Sequence, residues 1–428
     1  MEEQKAMSRL KNTSLALALL LSFGYVSAAG AQALSNHSKV QTQPDGAFLV
    51  NGAPTFPIGF TGGPPTGTAT PWGQNAMAYL ASDGNVFQLW YCPKHHWGPT
   101  AEAELDALVK EADQEGMHVV ISIDDLQHIK SDDTAQIAEL KRVVKKYRDN
   151  RSIFFWKGAD EPQWGKIPPQ DLSTYYDTVH ALDPHHPIWI TQAPRGTVAD
   201  WKPYSKYLDI GAVDIYPISY PPGTHSGIAN KDLSVVGDYA LRIRQAVDFH
   251  KPTLMILQIC WSGVAKPGKT LRFPTYADER YMTYQAIIDG ARGLVYFGGN
   301  VKAGLNTRDA AYGWNWTFYR SILQPVLDEL SPKGPLYPAL IAPASKLHIS
   351  SDGDKAMEYT VREAGDYIYI LAARREGSTV QVSYSGLPQG IEDGVVLFES
   401  PRHVKVADGK FTDWFGPHDV HVYKFRRP

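Results

Sequence analysis

The chain has little cysteine. Only Cys92 and Cys260 occur in 428 residues, and they follow predicted strands that are not neighbours. This excludes a disulfide-rich scaffold, and a protein of this length can bury a core without cross-links, so we predict two free thiols. Cys92 with His95 and His96 makes only a weak zinc pattern, because adjacent histidines point apart in an extended chain. No metal and no cofactor is predicted, and these histidines are expected to make polar contacts in their loop.

The sequence also lacks a charge bias. Its 42 Lys and Arg against 45 Asp and Glu give a formal net charge of −3, and no block of like charge stands out. A nucleic-acid partner is therefore not expected. With 43% hydrophobic and 20% charged residues, disorder, collagen and coiled coil are excluded. Aromatic residues, in contrast, are abundant (11 Trp, 23 Tyr and 15 Phe), and flat rings both fill cores and stack against sugars.

Long apolar runs are missing after the first 33 residues. Lys5, Arg9 and Lys11 precede the apolar run 15–26, and Ala31 and Ala33 then give a small-x-small pattern. Residues 1–33 are therefore predicted to be a signal peptide, and the protein to be secreted or periplasmic. The run is too short for a convincing membrane span, although an uncleaved anchor is the alternative. No membrane association is expected after cleavage, and the oligomeric state is left open.

The middle of the chain alternates short apolar runs with amphipathic helical patterns. Leu105, Leu108 and Ala112 form one such face, which Gly116 ends, and Thr275 with Asp278 forms the capping pair of a later helix. The apolar runs are 57–60, 86–90, 119–123, 153–156, 188–191, 210–213, 254–257 and 294–297. Eight such units predict an α/β fold, a closed (β/α)8 TIM barrel over residues 45–335. An open doubly wound sheet is the alternative, but no early strand is followed by a glycine-rich phosphate turn.

Two shorter segments flank this barrel. A hairpin with turns at Asp45-Gly46 and Asn51-Gly52 precedes it and is expected to cap one end. Beyond it the apolar pattern changes to a period of two, in the runs 367–371, 380–384, 395–398, 404–406 and 420–425. We predict a small C-terminal antiparallel β-sandwich domain over residues 345–428.

Acidic and aromatic side chains follow the predicted strands. In a barrel of this kind the residues just after each strand form the functional site. The acids follow strands 3, 4 and 6 and the rings come from strands 2, 6 and 7; they are Asp125, Asp160, Glu161, Asp214, Trp90, Tyr216 and Trp261. Acids that transfer protons beside rings that stack on a sugar predict a carbohydrate site. Trp97, in the loop after strand 2, is expected to join it.

Several motifs together resemble the clan A glycoside hydrolases. They are the hairpin 46–51 leading into 57–60, the strand 154–156 with Asp160-Glu161-Pro162, the segment 213–217, and the segment 289–297. The resemblance implies that the chain hydrolyses O-glycosidic bonds of a poly- or oligosaccharide, with Glu161 as general acid/base. In that clan a Glu nucleophile ends strand 7, and the corresponding residue here is Gln258, for which substrate binding is expected. Asp160 stands where the clan usually has Asn.

A neutral amide cannot attack an anomeric carbon as a carboxylate does, so three mechanisms stay open. Asp214 or Asp125 could act as base on a water in an inverting enzyme. Alternatively, Asp160 could orient a 2-acetamido group as internal nucleophile, which resembles the Asp-Glu pair of substrate-assisted hexosaminidases. In the third, the chemistry is lost and a noncatalytic carbohydrate-binding barrel remains.

Overall fold

The computed structural model describes residues 38–84, 86–259, 270–271, 273–399 and 401–428. The predicted signal peptide, Cys260 and Trp261 lie outside these ranges. Cys92 is a buried free thiol, as predicted. In the described part of the chain no helix combines the length and apolar character needed to cross a bilayer.

The barrel is preceded by a small antiparallel sheet of β1 (Val40–Thr42), β2 (Phe48–Val50) and β3 (Ala53–Thr55). The Phe48 ring lies 5.6 Å from the ring of Phe155, and both side chains are fully buried. Arg292, just before the last barrel strand, forms an ion pair with Asp45. The sheet therefore covers the end of the barrel where the strands begin, which confirms the predicted cap.

Eight parallel strands close into a barrel, as the apolar runs predicted. The neighbours in the ring follow chain order, and the last barrel strand pairs with the first. The strands of this region are β4 (Ile58–Thr61), β5 (Val86–Tyr91), β6 (His118–Ser122), β7 (Ile153–Asp160), β8 (Ile188–Gln192), β9 (Ile210–Ile215), β10 (Ser219–Tyr220), β11 (Thr253–Gln258), β12 (Thr270–Leu271) and β13 (Gly293–Phe297). β10 and β12 form a separate antiparallel pair above the ring.

Amphipathic helices surround the barrel. Their bounds are α1 (Ala76–Ala81), α2 (Pro99–Glu115), α3 (Thr134–Tyr147), α4 (Ser173–Leu182), α5 (Val198–Trp201), α6 (Val235–Ala246), α7 (Tyr276–Ile288), α8 (Thr307–Ala310), α9 (Trp316–Phe318), α10 (Gln324–Leu330) and α11 (Tyr337–Ile341). Gly116 ends α2 in the left-handed conformation, and Thr275 with Asp278 forms a complete capping box on α7, both as predicted.

The C-terminal residues form the predicted antiparallel sandwich. One sheet contains β14 (Ser350–Ser351), β17 (Val380–Ser385) and β20 (Lys410–Phe415), and the other contains β15 (Met357–Ala364), β16 (Tyr367–Arg374), β18 (Asp393–Leu397), β19 (His403–Lys405) and β21 (Val420–Arg426). The apolar runs missed three strands: the two-residue β14, β15, which carries three charged residues, and β20, whose buried positions alternate with exposed ones. Tyr369, Leu371 and Val422 pack into the same apolar cluster as the barrel helices. Where one domain ends and the other begins stays a prediction.

Candidate active site

Three carboxylates meet at the C-terminal mouth of the barrel. Asp160 ends β7, Glu161 follows it, and Asp214 lies inside β9, not after it as its run suggested. They share a cavity of about 310 Å³ in which most of the lining residues stand at the end of a strand. The lining residues are Thr61, Tyr91, Asp160, Glu161, Thr191, Asp214, Tyr216, His225, Ile256 and Phe297.

The backbone at Glu161 is held in the left-handed region, with φ of +47°. Its N–H donates to the carbonyl of Thr191 at 2.8 Å, and its carbonyl accepts from the Gly165 N–H at 2.8 Å. Such a conformation costs a residue with a side chain about 1–3 kcal/mol and persists only where the surroundings enforce it. Here β8 and the following turn hold it, and the turn directs the carboxyl group into the cavity.

Glu161 and Asp214 form a carboxyl pair within hydrogen-bonding reach of each other. Burial is the main cause that raises the pKa of both groups; the charge of Asp160 adds to it at Glu161, and the charge of Glu161 adds to it at Asp214. Because the two carboxyls lie close together, the ionised form of one disfavours ionisation of the other. Among the described atoms Asp214 Oδ1 has no hydrogen-bond partner.

A neutral histidine stands beside this pair. The Tyr216 N–H donates to Nδ1 of His225 at 3.2 Å, which leaves the proton on Nε2, 3.7 Å from Asp214 Oδ2. Burial, helped by the positive charge of Arg195, lowers the pKa of His225 to about 3. The Tyr216 ring stacks between His225 at 4.4 Å and Phe297 at 5.0 Å. His225 is therefore a fixed, uncharged donor at the wall of the cavity.

Asp160 differs from its two neighbours because it has a permanent cationic partner. Nζ of Lys157 is fully buried and lies 2.9 Å from Asp160 Oδ1, over the ring of Trp189. The Asp160 side chain remains 46% exposed. It is therefore the carboxylate at the open side of the cavity.

The overall architecture is shared with solved glycoside hydrolase structures. One described as a glycoside hydrolase is 13% identical, with a TM-score of 0.59, over 92% of this chain and 97% of that one. A glycoside hydrolase family 5 protein from Bacteroides vulgatus is 13% identical, with a TM-score of 0.58, over 91% and 94%. An α-amylase from Geobacillus thermoleovorans is 12% identical, with a TM-score of 0.54, over 90% and 99%. No family model matches the chain, and no curated protein matches it in sequence.

The chain shares the (β/α)8-barrel architecture of these solved structures. At this coverage the likeness extends from the barrel into the C-terminal sheets. Identity this low establishes the architecture alone, so what the site does must be argued from its own residues.

The other predicted site residues near strands 2 and 3 form a separate cluster. Asp125 accepts the backbone N–H of Trp97 at 2.9 Å, and Nε1 of Trp97 donates to Glu139 at 2.8 Å. Trp97 packs edge-on against Trp90 at 6.4 Å. Asp125 and Trp97 thus brace the loops after β5 and β6, and neither belongs to the wall of the carboxylate cavity. Trp90 lines a second cavity.

Gln258 ends β11, at the position where the resemblance expects a nucleophile. Its Oε1 accepts the Ile218 N–H at 3.0 Å, and its Nε2 donates to the Ile218 carbonyl at 3.1 Å. The side chain is 1% exposed, so the amide holds the segment after β9 across the end of β11. A role of Gln258 in substrate binding stays a prediction.

Proposed function

We propose that this protein is a glycoside hydrolase that cleaves O-glycosidic bonds of an oligo- or polysaccharide, with Glu161 as general acid. The observation that carries the proposal is the Glu161–Asp214 pair in the cavity at the mouth of the barrel, where Asp214 is buried, Glu161 is half-buried and burial raises the pKa of both. A general acid must still hold its proton near the working pH. The names of the solved structures with this fold favour the same class of reaction.

The contact between the two carboxyls restricts the mechanism. Inverting enzymes separate their two carboxyls by roughly 6.5–9.5 Å to admit a water, whereas Glu161 and Asp214 lie within hydrogen-bonding reach of each other. Asp214 is therefore proposed as the hydrogen-bonding partner that positions the Glu161 carboxyl. Asp160 is the carboxylate on the open side, paired with Lys157, which supports the substrate-assisted route in which it orients a 2-acetamido group. Proton NMR of the first-formed product distinguishes the routes, because substrate assistance retains the anomeric configuration and direct attack by water inverts it.

The test is Glu161→Gln, which keeps the shape of the side chain and removes its proton. On unactivated oligosaccharides we expect kcat to fall by about 10²–10⁴-fold, because the leaving oxygen is no longer protonated. On aryl glycosides with an acidic phenol the loss of kcat should be smaller, because such a phenolate can leave without being protonated.

The matched control is Glu376→Gln, in an exposed turn of the C-terminal domain, which should retain full activity. Equal losses on both substrate types, or no loss, would contradict the assignment of Glu161 as acid.

A second candidate function is a noncatalytic carbohydrate-binding barrel. The observation that favours it is Gln258, whose amide is fully occupied by Ile218 where a nucleophile would stand. This reading predicts that the protein binds members of a panel of gluco-, xylo- and N-acetylglucosamine oligosaccharides without cleaving any of them, and that Glu161→Gln leaves the affinity unchanged. Turnover that depends on Glu161 rejects it.

We further propose export, by cleavage after Ala33. Periplasmic or culture fractions should contain a chain whose first residue, by Edman degradation, is Leu34. A membrane-bound chain that still carries residues 1–33 would instead support the uncleaved anchor.

A further inference from the structure

Three arginine side chains converge at the end of the barrel where the strands begin. Arg244 lies in the last turn of α6, Arg292 directly precedes β13, and Arg362 lies on β15 of the sandwich. Nη1 of Arg244 donates to the Asp289 carbonyl at 2.9 Å, and Nη1 of Arg292 donates to the Ala342 carbonyl at 3.0 Å. Two residues past Ala342, the chain pairs with Arg362 in an isolated β-bridge. The backbone segments 289–292 and 342–344 thus bring the three side chains together.

The residues around this arginine cluster leave most of its positive charge unbalanced. Asp45 of the cap sheet pairs with Arg292, at 3.3 Å. Within the described part of the chain, the hydrogen bonds of Arg244 and Arg362 go only to backbone carbonyls and to the hydroxyl of Thr360. Neither of these two guanidinium groups therefore has a carboxylate partner among the described residues.

Burial makes this imbalance unfavourable. Arg292 and Arg362 are each 7% exposed, and Nε of Arg292 has no hydrogen-bond partner among the described atoms. Burial lowers the pKa of all three guanidinium groups, and the charges of Arg292 and Arg244 help it to lower that of Arg362 to about 10. Asp289 lies near Arg244, but burial raises its pKa to about 8, so it supplies little negative charge near neutral pH. A bound anion would supply the counter-charge that buried cations require.

The charge and shape of the arginine cluster fit a compact oxyanion with two negative charges. Three guanidinium groups against the single carboxylate of Asp45 leave two positive charges. Planar guanidinium groups match the oxygens of phosphate or sulfate, to which they donate in pairs. Glu358 and Asp238, two further acids at the junction of barrel and sandwich, are already paired with Arg375.

We propose that Arg244, Arg292 and Arg362 form a binding site for a dianionic oxyanion of the phosphate or sulfate type, which joins the sandwich to the base of the barrel and stabilises the folded protein. Nε of Arg292 is a donor available to the anion, while Nη2 of the same side chain keeps its bond to Asp45. The site lies at the end of the barrel opposite the carboxylate cavity, so the proposal is independent of the proposed glycosidase function.

The experiment measures thermal unfolding of the protein at pH 7 in increasing sodium phosphate or sodium sulfate, with sodium chloride holding the ionic strength constant. We expect Tm to rise and saturate, by about 2 °C at about 20 mM of either oxyanion for a Kd of about 1 mM. Sodium acetate, a monoanion, should have little effect. Arg362→Met should abolish the rise. Arg244→Met changes a half-buried side chain, should reduce the rise, and provides the test if Arg362→Met does not fold.

The matched control is Arg426→Met, an exposed arginine on β21, which should keep the full rise in Tm. Phosphate and sulfate also stabilise proteins in general, because they are excluded from the protein surface. A rise that is undiminished in Arg362→Met and Arg244→Met would therefore overturn the proposal, as would a Tm that does not respond to either oxyanion or that responds equally to acetate. None of these results bears on Glu161, because that assignment is decided by turnover.

Discussion

The conformation of Glu161 limits which residues can occupy this position. A φ of +47° is unfavourable for β-branched side chains and tolerable for Glu or Gln when the flanking hydrogen bonds are made. Both of those bonds use backbone groups of Glu161, so they do not depend on the side chain. Substitutions that preserve the length of the side chain therefore test chemistry rather than folding at this position.

The pH dependence of activity should report the proton of Glu161. The negative charge of Asp160 raises the pKa of Glu161, whereas the hydrogen bond to Asp214 lowers it, so Asp160→Asn should lower the pKa of Glu161. The alkaline limb of the kcat/KM profile is then expected to move to lower pH, by about one unit. Asp177→Asn, an exposed carboxylate on α4, serves as control. A limb that stays in place or moves to higher pH would show that the charge of Asp160 does not raise the pKa of Glu161.

Single residues differ in how far the sequence predicts them. Asp160, Glu161, Asp214 and Tyr216 were found because they stand at strand ends, and parallel strands bring their ends to one mouth. His225 was missed, since it lies in an irregular loop where no periodicity indicates which way a side chain points. Contacts made by such loops depend on tertiary packing, as do those between Asp125 and Trp97.

At the scale of elements, the apolar runs locate every barrel strand but end some of them too early. β7 continues to Asp160 and β9 to Ile215, past the points where the apolar residues stop. Polar side chains at the mouth line a cavity while their backbone still pairs with the next strand. A prediction based on the hydrophobic pattern therefore makes the strands that carry the site too short.

The connection after β9 is fixed to the end of β11 by Gln258, and this can be tested with Gln258→Glu. A carboxylate can accept the Ile218 N–H but cannot donate to the Ile218 carbonyl. We expect the free energy of unfolding, measured with urea, to fall by about 2 kcal/mol. Activity should not rise, because the side chain remains directed at Ile218. Gln381→Glu on β17 is the exposed control, and a Gln258→Glu variant that is more active at unchanged stability would contradict this interpretation.

At the scale of the whole molecule, charged groups join the barrel to the sandwich. Arg375 pairs with Asp238 of α6 and with Glu358 of β15, and Gln285 of α7 donates to Glu358 at 2.8 Å. Asp289, at the end of α7, lies half-buried beside this network. Burial, with the charge of Glu358 second, raises its pKa to about 8.

Stability should consequently depend on pH through Asp289. A carboxyl whose pKa is raised by folding favours the folded state while it is protonated, and that contribution is lost as pH rises from about 4 to about 8. Asp289→Asn, which cannot ionise, should be more stable than the wild type by more than about 1 kcal/mol at pH 9, with little difference near pH 4. Urea unfolding at both pH values measures this. Asp366→Asn, in an exposed turn, is the control, and a difference that is the same at both pH values would refute the argument.

The sheet that covers the lower end of the barrel begins very near the proposed cleavage point. Ser38 bonds to His186 at 2.6 Å and to the carbonyl of Ile153, and the Val40 N–H donates to the His185 carbonyl at 2.9 Å. Cleavage after Ala33 would leave the whole of this sheet in the mature chain, with only a few residues preceding Ser38. Exopeptidases that removed Ser38 would also remove its contacts with the barrel and destabilise this sheet. The amino-terminal residues found in a purified sample should therefore all lie at or before Ser38.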